Sequence, residues 1–365
     1  MNMRIVLRAD ASVTMGTGHV MRCITLANAL RARGAECRFV TRDLPGHLAA
    51  MIEDQGFAVS LLPAPSCPAP QGPPAHAAWA GVSWEQDLAA TRAVIDGADW
   101  LVVDHYAFDA RWQQGLRDRV GRIMVIDDLA DRPHAADLLL DQNLGRGAQD
   151  YDGLLPESCR RLIGPRYTLM RPEFAAAREA ALDRRQTPRL AHLMITLGGT
   201  DAVGATSTVL RALKAAVLPR DLRISVVMGS RAPALDAVRT LAAEMKWPTE
   251  VLVDVRDMAA LMADADLVIG AGGSTNWERC ILGLPGVVVE TAENQARSIA
   301  AMVDTGTALT TGLLSTPGFA DRLLGAVGQM QNAKFRTEMS RQAASICTGD
   351  GAKLVVDILG EKQWK

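Results

Sequence analysis

The stretch RADASVTMGTGHVMRC, residues 8–23, places His19 between a glycine-bearing turn and the start of a helical pattern. Histidine is the side chain best matched to proton transfer near neutral pH, and a positioned base contributes about 10²- to 10⁴-fold in rate. At a helix N-terminus the macrodipole disfavours imidazolium and so keeps the ring a base. A second reading is open at this point: His19 hydrogen-bonds a sugar or a pyrophosphate without moving a proton. Asp10 is the nearest carboxylate that could orient the ring or the sugar, its alternative being a loop or N-cap carboxylate. Gly16 and Gly18 allow the backbone to bend close to a substrate. These two glycines give G-x-G-x-x-M, which lacks the third glycine of a dinucleotide fingerprint, and the second apolar run, RFVTRD, turns basic before its aspartate. Nicotinamide binding is therefore not favoured. No G-x-x-x-x-G-K-[ST] occurs, which excludes a P-loop ATPase.

A second chemistry-bearing stretch is GAGGSTNWERC, residues 270–280. Gly272, Gly273 and Ser274 let backbone N–H groups approach an anion at the start of the next helix, the arrangement that binds phosphate. LGGTD, with Gly199 and Thr200, offers another glycine turn of the same kind. Glu278, one helical turn beyond Ser274, is placed to reach a ribose diol; otherwise it is a solvated helix carboxylate. The DAD of residues 264–266 resembles a metal-binding D-x-D, but it falls between a helix end and a strand start, away from the active edge. The six histidines are dispersed without ligand spacing, so no metal and no cofactor are expected.

The elements that must position these residues follow from hydrophobic patterning. RIVLR, CRFVT, AVSLL, WLVVD, IMVID and DLLLD read as strands of a buried parallel sheet, and HLMITLGGTD, RISVVMGS, TEVLVD, ADLVIGAGGST and GVVVET as a second series of five. Val20, Cys23, Ile24, Ala27 and Leu30 recur at helical spacing, with Gly34 suited to the cap. SWEQ at residue 83 is a capping box. Residues 63–81, rich in Pro, Gly and Ala, read as a mobile surface loop. The apolar period is lost over 174–190, where a hinge is expected. The predicted organisation is α/β: an N-terminal Rossmann-like domain over 1–175, a C-terminal one over 190–345, and a tail over 346–365. The helical segment after about 320 either caps the second domain or returns to the first.

Ligands of open parallel sheets sit beyond the carboxyl ends of the strands. Those positions are polar here: Arg8 and Asp10; Asp104, His105 and Tyr106; Asp127 and Asp128; Asp141, Gln142 and Asn143; and, in the second half, Gly198 to Asp201, Gly270 to Ser274, and Glu290 with Asn294 and Gln295. Two such edges facing across a cleft are expected, with Asp10, Gly16, Gly18, Arg22, Asp104, His105 and Tyr106 on the sugar side. Tyr106 and His105 are the next catalytic candidates after His19, although His105 reads equally well as a satisfied buried histidine.

The chain has 365 residues and a formal net charge of −2, which gives no basic field for nucleic acid. Its six cysteines show no C-x-x-C spacing and fit reduced, buried thiols. Met1 leads directly into an apolar strand without a signal pattern, and no 18-residue apolar run occurs. A cytoplasmic monomer with a small-molecule substrate and no membrane partner is expected.

Taken together and in order, RADASVTMGTGHVMRC, VVDHYAFDARW, VIDDLADRPHAADLLLDQNLG, GPRYTLMRPEF, LGGTD and GAGGSTNWERCILGLPGVVVETAENQ resemble the UDP-2,4-diacetamido-2,4,6-trideoxy-β-L-altropyranose hydrolases of pseudaminic acid synthesis, over positions 3 to 312. The resemblance implies a glycosyltransferase B-type fold with UDP held by the C-terminal half. It also implies metal-independent hydrolysis of the UDP-sugar at the anomeric C–O bond with inversion. His19 stands where the family has its catalytic histidine. Asn294 and Gln295 match the family's NQ pair, and Glu278 matches the ribose-contacting glutamate of related transferases. Asn276 departs from a commoner serine, and Glu290 and Glu293 make their segment unusually acidic. UDP leaves as an anion whose terminal phosphate has a pKa of about 6, so one base and no strong general acid suffice. Competing readings are a UDP-sugar glycosyltransferase of the same fold, a non-catalytic nucleotide-sugar binding protein, and a hydrolysing 2-epimerase.

Overall fold

The computed structural model describes residues 3–66 and 70–361, apart from the Asn294 side chain. The chain divides into two compact units, Met1–Leu169 with Asp350–Lys365, and Met170–Gly349.

In the first unit the chain runs β1 (Arg4–Ala9), α1 (Gly18–Ala32), β2 (Glu36–Arg42), α2 (Ala49–Asp54), β3 (Ala58–Leu62), α3 (Trp84–Val94), β4 (Ala98–Asp104), α4 (Ala110–Gln114), β5 (Val120–Ile126), β6 (Leu138–Asp141) and β7 (Arg160–Ile163). The strands form one parallel sheet in the order β3-β2-β1-β4-β5-β6-β7. Because helices cover both faces, the central strands are buried along most of their length, with exposed residues only near their starts, which is why they read as continuous apolar runs. Helix α1 buries Val20, Cys23, Ile24, Ala27 and Leu30, the stripe expected from spacing, and Gly34 follows its end with φ +82°. Ser83 and Gln86 form the predicted capping box at α3.

The second unit contains α5 (Pro172–Arg185), β8 (His192–Thr196), α6 (Ala205–Leu213), β9 (Arg223–Met228), α7 (Leu235–Ala243), β10 (Thr249–Val253), α8 (Met258–Asp264), β11 (Leu267–Ala271), α9 (Thr275–Ile281), β12 (Gly286–Glu290), α10 (Ala296–Asp304), β13 (Leu309–Leu313), α11 (Phe319–Gln329) and α12 (Ala333–Ile346). Its sheet is also parallel, in the order β10-β9-β8-β11-β12-β13. The last helix, α13 (Gly351–Leu359), belongs to the first unit, where Val355 and Leu359 join the core that α1 also buries.

Three features differ from the sequence reading. The segment placed as a hinge, 174–190, is mostly α5 and lies within the second unit, so the division falls between Leu169 and Met170 rather than at 175. Arg185 explains the missing apolar period: its buried guanidinium donates to Ala181, Met262 and Ala265 carbonyls and so fastens α5 to the end of α8 by hydrogen bonds. Strands β7 and β13 were not anticipated, because each is an edge strand with a single fully buried residue. The tail divides: α11 and α12 remain with the second unit and α13 returns to the first.

The first unit's sheet carries a buried ionic network. Arg8, fully buried on β1, donates to Asp10 at 2.5 Å and to Asp87 at 2.7 Å, and Arg42 donates to Asp87 at 2.7 Å. Trp112 and Thr91 also donate to Asp87. This network ties β1, β2, α3 and α4 together through hydrogen bonds rather than apolar contact.

Candidate active site

In the first sheet the strand order reverses at β1, whose two neighbours are β2 and β4, and crevices at such a switch point are where α/β sheets hold ligands. Both elements that meet beyond it carry chemistry. After β1 the chain makes a tight turn in which the Gly16 N–H donates to the Ser12 carbonyl at 2.8 Å and Gly16 takes φ +78°, a conformation that disfavours a side chain. Gly18 then opens α1, and His19 is its second residue.

The His19 ring is held by Asp104, at the end of β4, with Nδ1 2.6 Å from Oδ1. Asp104 is fully buried and accepts from Arg22 Nε at 2.5 Å and Nη2 at 2.7 Å. Burial opposes its charge, but Arg22 and His19 outweigh burial and hold the carboxyl below the usual carboxylate range. An ionised carboxylate only accepts, so the shared proton sits on His19 Nδ1, and in the neutral ring Nε2 keeps its lone pair. The arrangement is a base with its tautomer set by an acid, the orienting half of a catalytic triad. Arg22 also donates to Asp128 at 2.8 Å, as does the Tyr106 hydroxyl at 2.8 Å. The Tyr106 ring stands edge-on to His19, with centroids 4.6 Å apart.

Asp10, expected to orient His19, does something else. Its carboxylate accepts from Arg8, the Thr41 hydroxyl at 3.1 Å and the Arg42 N–H at 2.7 Å, and it is fully buried, so it is neither the partner of His19 nor open to a sugar. His105 is likewise structural. It accepts the Ala107 N–H on Nδ1 at 3.1 Å, lies 3.2 Å from Asp10 through Nε2 and stacks on Phe108, and burial pushes its pKa down. Asp104 and Arg22 were expected to contact substrate; both are committed to each other and to His19, with 10% of the Arg22 side chain exposed. Asp127 accepts N–H groups from Ala130 and Leu129, and Asn143 donates its N–H to Asp141.

Asp141 provides a test independent of substrate. Burial raises its pKa, and Asp128 raises it further, to about 7. A carboxyl whose folded pKa exceeds its unfolded value, about 3.9, holds its proton in the native state across that interval, so it costs stability as pH rises from about 4 through 7. Asp141→Asn is expected to gain on the order of 1–3 kcal/mol over the parent at pH 8 and little at pH 4.5, measured by urea denaturation. Equal differences at both pH values would contradict the assignment.

In the second sheet the reversal occurs at β8, between β9 and β11, and both glycine turns fall there: Gly198–Asp201 follows β8 and Gly272–Ser274 follows β11. Gly199 and Thr200 are exposed, as are Gly273 and Ser274. Asp201 accepts the N–H groups of Ala205 and Thr206 and so fixes the first turn on α6. Gly198 there has φ +98°. Asn276 fixes the second turn: its amide donates to the Ala271 and Gly273 carbonyls, at 3.0 and 3.1 Å, and accepts from Arg279. Sequence reasoning treated Asn276 only as a departure from serine, a side chain too short to span both carbonyls. Gln295 Oε1 accepts from the Thr291 N–H at 3.0 Å, and a Cβ added at Gly272 would stand 2.8 Å from that oxygen. The NQ segment and the second glycine turn are therefore adjacent. The Asn294 side chain lies outside the described residues.

Glu278 is one turn into α9, with 16% of its side chain exposed. Burial raises its pKa, opposed by Arg171 at 3.4 Å. Arg171, which also pairs with Glu173 at 2.9 Å, was missed because its distance in sequence from Glu278 gives no signal. The DAD aspartates are structural: Asp266 accepts the Ala191 and His192 N–H groups, and Asp264 pairs with Arg223 and His192. Among the described residues no group of three or more His, Cys, Asp or Glu side chains could hold a metal, and no helix is long and apolar enough to cross a membrane. Cys23, Cys37, Cys159, Cys280 and Cys347 are free and buried, while Cys67 lies outside the described residues.

Two parallel-sheet α/β domains, each with its polar turns at the sheet's switch point, make this a protein of the glycosyltransferase B fold. MurG of Acinetobacter baumannii, a structure of that type, superposes with a TM-score of 0.70 at 17% identity, over 98% of this chain and 99% of that one. The chain is similar to the UDP-2,4-diacetamido-2,4,6-trideoxy-β-L-altropyranose hydrolase of Campylobacter jejuni, 25% identical over 277 residues, covering 75% of this chain and 87% of that protein. It is also 26% identical over 298 residues to an uncharacterised protein of Methanocaldococcus jannaschii, covering 80% of this chain but only 57% of that relative's length. No family model matches the chain.

Proposed function

We propose that the chain hydrolyses UDP-2,4-diacetamido-2,4,6-trideoxy-β-L-altropyranose to UDP and the free sugar, as in pseudaminic acid synthesis. The observation that carries this reading is the His19–Asp104 pair, which leaves Nε2 as a base at the switch point of the first sheet. In this mechanism Nε2 takes a proton from water as its oxygen bonds to the anomeric carbon. The C–O bond to the diphosphate breaks with inversion, and the bonding pair leaves with UDP. The exposed glycine turns of the second unit, with Gln295, supply donors to the diphosphate, and Glu278 accepts from the ribose. No metal is assigned a step.

Incubation with the UDP-sugar in ¹⁸O-labelled water and no acceptor tests the reaction by mass spectrometry. UDP and free sugar carrying the label are expected. Label in UDP would mean P–O cleavage, and absence of both products would remove hydrolysis. Deuterium entering C2 of the sugar from heavy water would indicate an epimerase. The likeness in fold to MurG favours one other reading, transfer to an acceptor hydroxyl, in which UDP is released only when an acceptor is present and the sugar leaves as a glycoside of that acceptor rather than free.

The second unit makes a separate prediction. Gly272→Ala forces a Cβ to within 2.8 Å of Gln295 Oε1 and of Ile299. UDP affinity measured by calorimetry is expected to fall about tenfold, ~1.4 kcal/mol, and an unchanged Kd would take the diphosphate away from this turn.

A further inference from the structure

The segment 63–81 contains more than a surface loop. Within its described part, residues 77–80 form a short 3₁₀ turn, and Ala80 is buried in the same apolar cluster as Val6, Val40 and Leu101. Gly81 follows with φ +71°, packed so closely that an added Cβ would meet Pro65 at 2.6 Å and Leu44 at 3.0 Å. The turn is thus seated at a fixed place, directly before the Ser83 cap of α3. It carries two aromatic side chains that the core does not use. The Trp79 ring lies 5.5 Å from Tyr106 at a 31° tilt and 6.1 Å from His19, edge-on. His76 is 4.8 Å from Trp79 and 5.4 Å from Tyr106. Both are partly exposed. A half-buried tryptophan beside a histidine base gives up burial the fold could have taken. Pockets for small ligands are lined by such aromatic faces, with a few polar groups fixing orientation.

We propose that Trp79, backed by Tyr106 and His76, is the surface on which the sugar of the nucleotide-sugar docks, and that it selects sugars with an apolar face: deoxygenated and acetamido-substituted rather than fully hydroxylated hexoses. This rests on the reading of His19 as the base of a UDP-sugar enzyme. The indole covers C–H and methyl groups without needing to satisfy hydroxyls, whereas a hydroxyl pressed on it loses its water and gains no partner. Trp79 is then a positioning residue. It holds the anomeric carbon near His19 and contributes to KM and to discrimination, while the diphosphate is bound by other residues.

The test uses the full chain in the His19→Asn background, where turnover is expected to be slow enough for binding to be measured, and calorimetry with three probes: the diacetamido-trideoxy UDP-sugar, UDP-N-acetylglucosamine and UDP alone. Adding Trp79→Ala is expected to weaken the first about 10- to 100-fold, ~1.4–2.7 kcal/mol, to weaken UDP-N-acetylglucosamine less, and to leave UDP within about twofold. Trp79→Phe should recover most of the loss. In the His19-containing enzyme, Trp79→Ala should raise KM more than it lowers kcat. Equal affinity of the two backgrounds for the deoxy sugar overturns the proposal, and so does a parallel loss of UDP binding. If the parent protein releases no UDP but Trp79→Ala still removes sugar affinity, hydrolysis fails and the docking surface stands.

Discussion

His19→Asn is expected to lower UDP release about 10²- to 10⁴-fold while leaving UDP affinity within about twofold. The reason is positional. The ring is nearly buried, its Nδ1 is committed to Asp104, and Nε2 has no partner among the described residues. Asparagine can keep a hydrogen bond to Asp104 but offers no base. Asp104→Asn tests the same pair from the other side. The amide matches the carboxylate in shape but turns one accepting position into a donor and removes the charge that fixes the tautomer, so kcat is expected to fall by a comparable factor of about 10²–10⁴. The loss should be less than additive in the double variant, since the two residues act as a unit. Steady-state kinetics with the UDP-sugar and calorimetry with UDP separate the outcomes. Turnover within a few-fold of the parent would end the base assignment, and a collapse of UDP affinity with intact thermal stability would make His19 a binding residue.

The second large effect is on stability. Asp87→Asn is expected to destabilise the first unit by about 3–5 kcal/mol, because it leaves Arg8 and Arg42 buried with only Asp10 as a counter-charge. The carboxylate is held below its ordinary pKa: burial opposes the charge, and Arg8 outweighs burial. A carboxyl with a depressed folded pKa contributes stability above about pH 4 that is lost as pH falls through its folded value, so wild type and variant should converge in acid. Asp118→Asn, which breaks an exposed pair with Arg92, serves as the control and should leave the urea midpoint unchanged. If the Asp87 variant behaves like the control, the network does not hold the sheet together. This network also fixes β1, the strand that leads into the His19 loop.

Most of the fold was legible from short apolar runs because central strands of a parallel sheet are buried on both faces and therefore cannot alternate. The same rule hid β7 and β13, edge strands whose outer side needs no apolar residue. The glycine turns and His19 were legible because backbone conformation and helix starts are local properties, written within a few residues. Gly16 at positive φ and the Ser83 capping box are of this kind. The part of residues 63–81 that was read as loop proved to hold Trp79 beside His19, because a 3₁₀ turn of four residues leaves no periodic trace.

Partnerships between distant residues were decided only by the tertiary structure. From the sequence, Asp10 lies nine residues from His19 and looked like its natural companion, while Asp104 is 85 residues away. Strand order reverses that choice. With β4 placed directly beside β1, the end of β4 comes under the start of α1, and Asp104 meets Nδ1 while Arg8 and Arg42 draw Asp10 into the sheet. Glu278 with Arg171, and Gly272 with Gln295, follow the same logic in the second unit. The sequence by itself determined which residues can do the chemistry, because that depends on side-chain type and local backbone. Which carboxylate serves the base depends on sheet topology, and only the folded chain decides it.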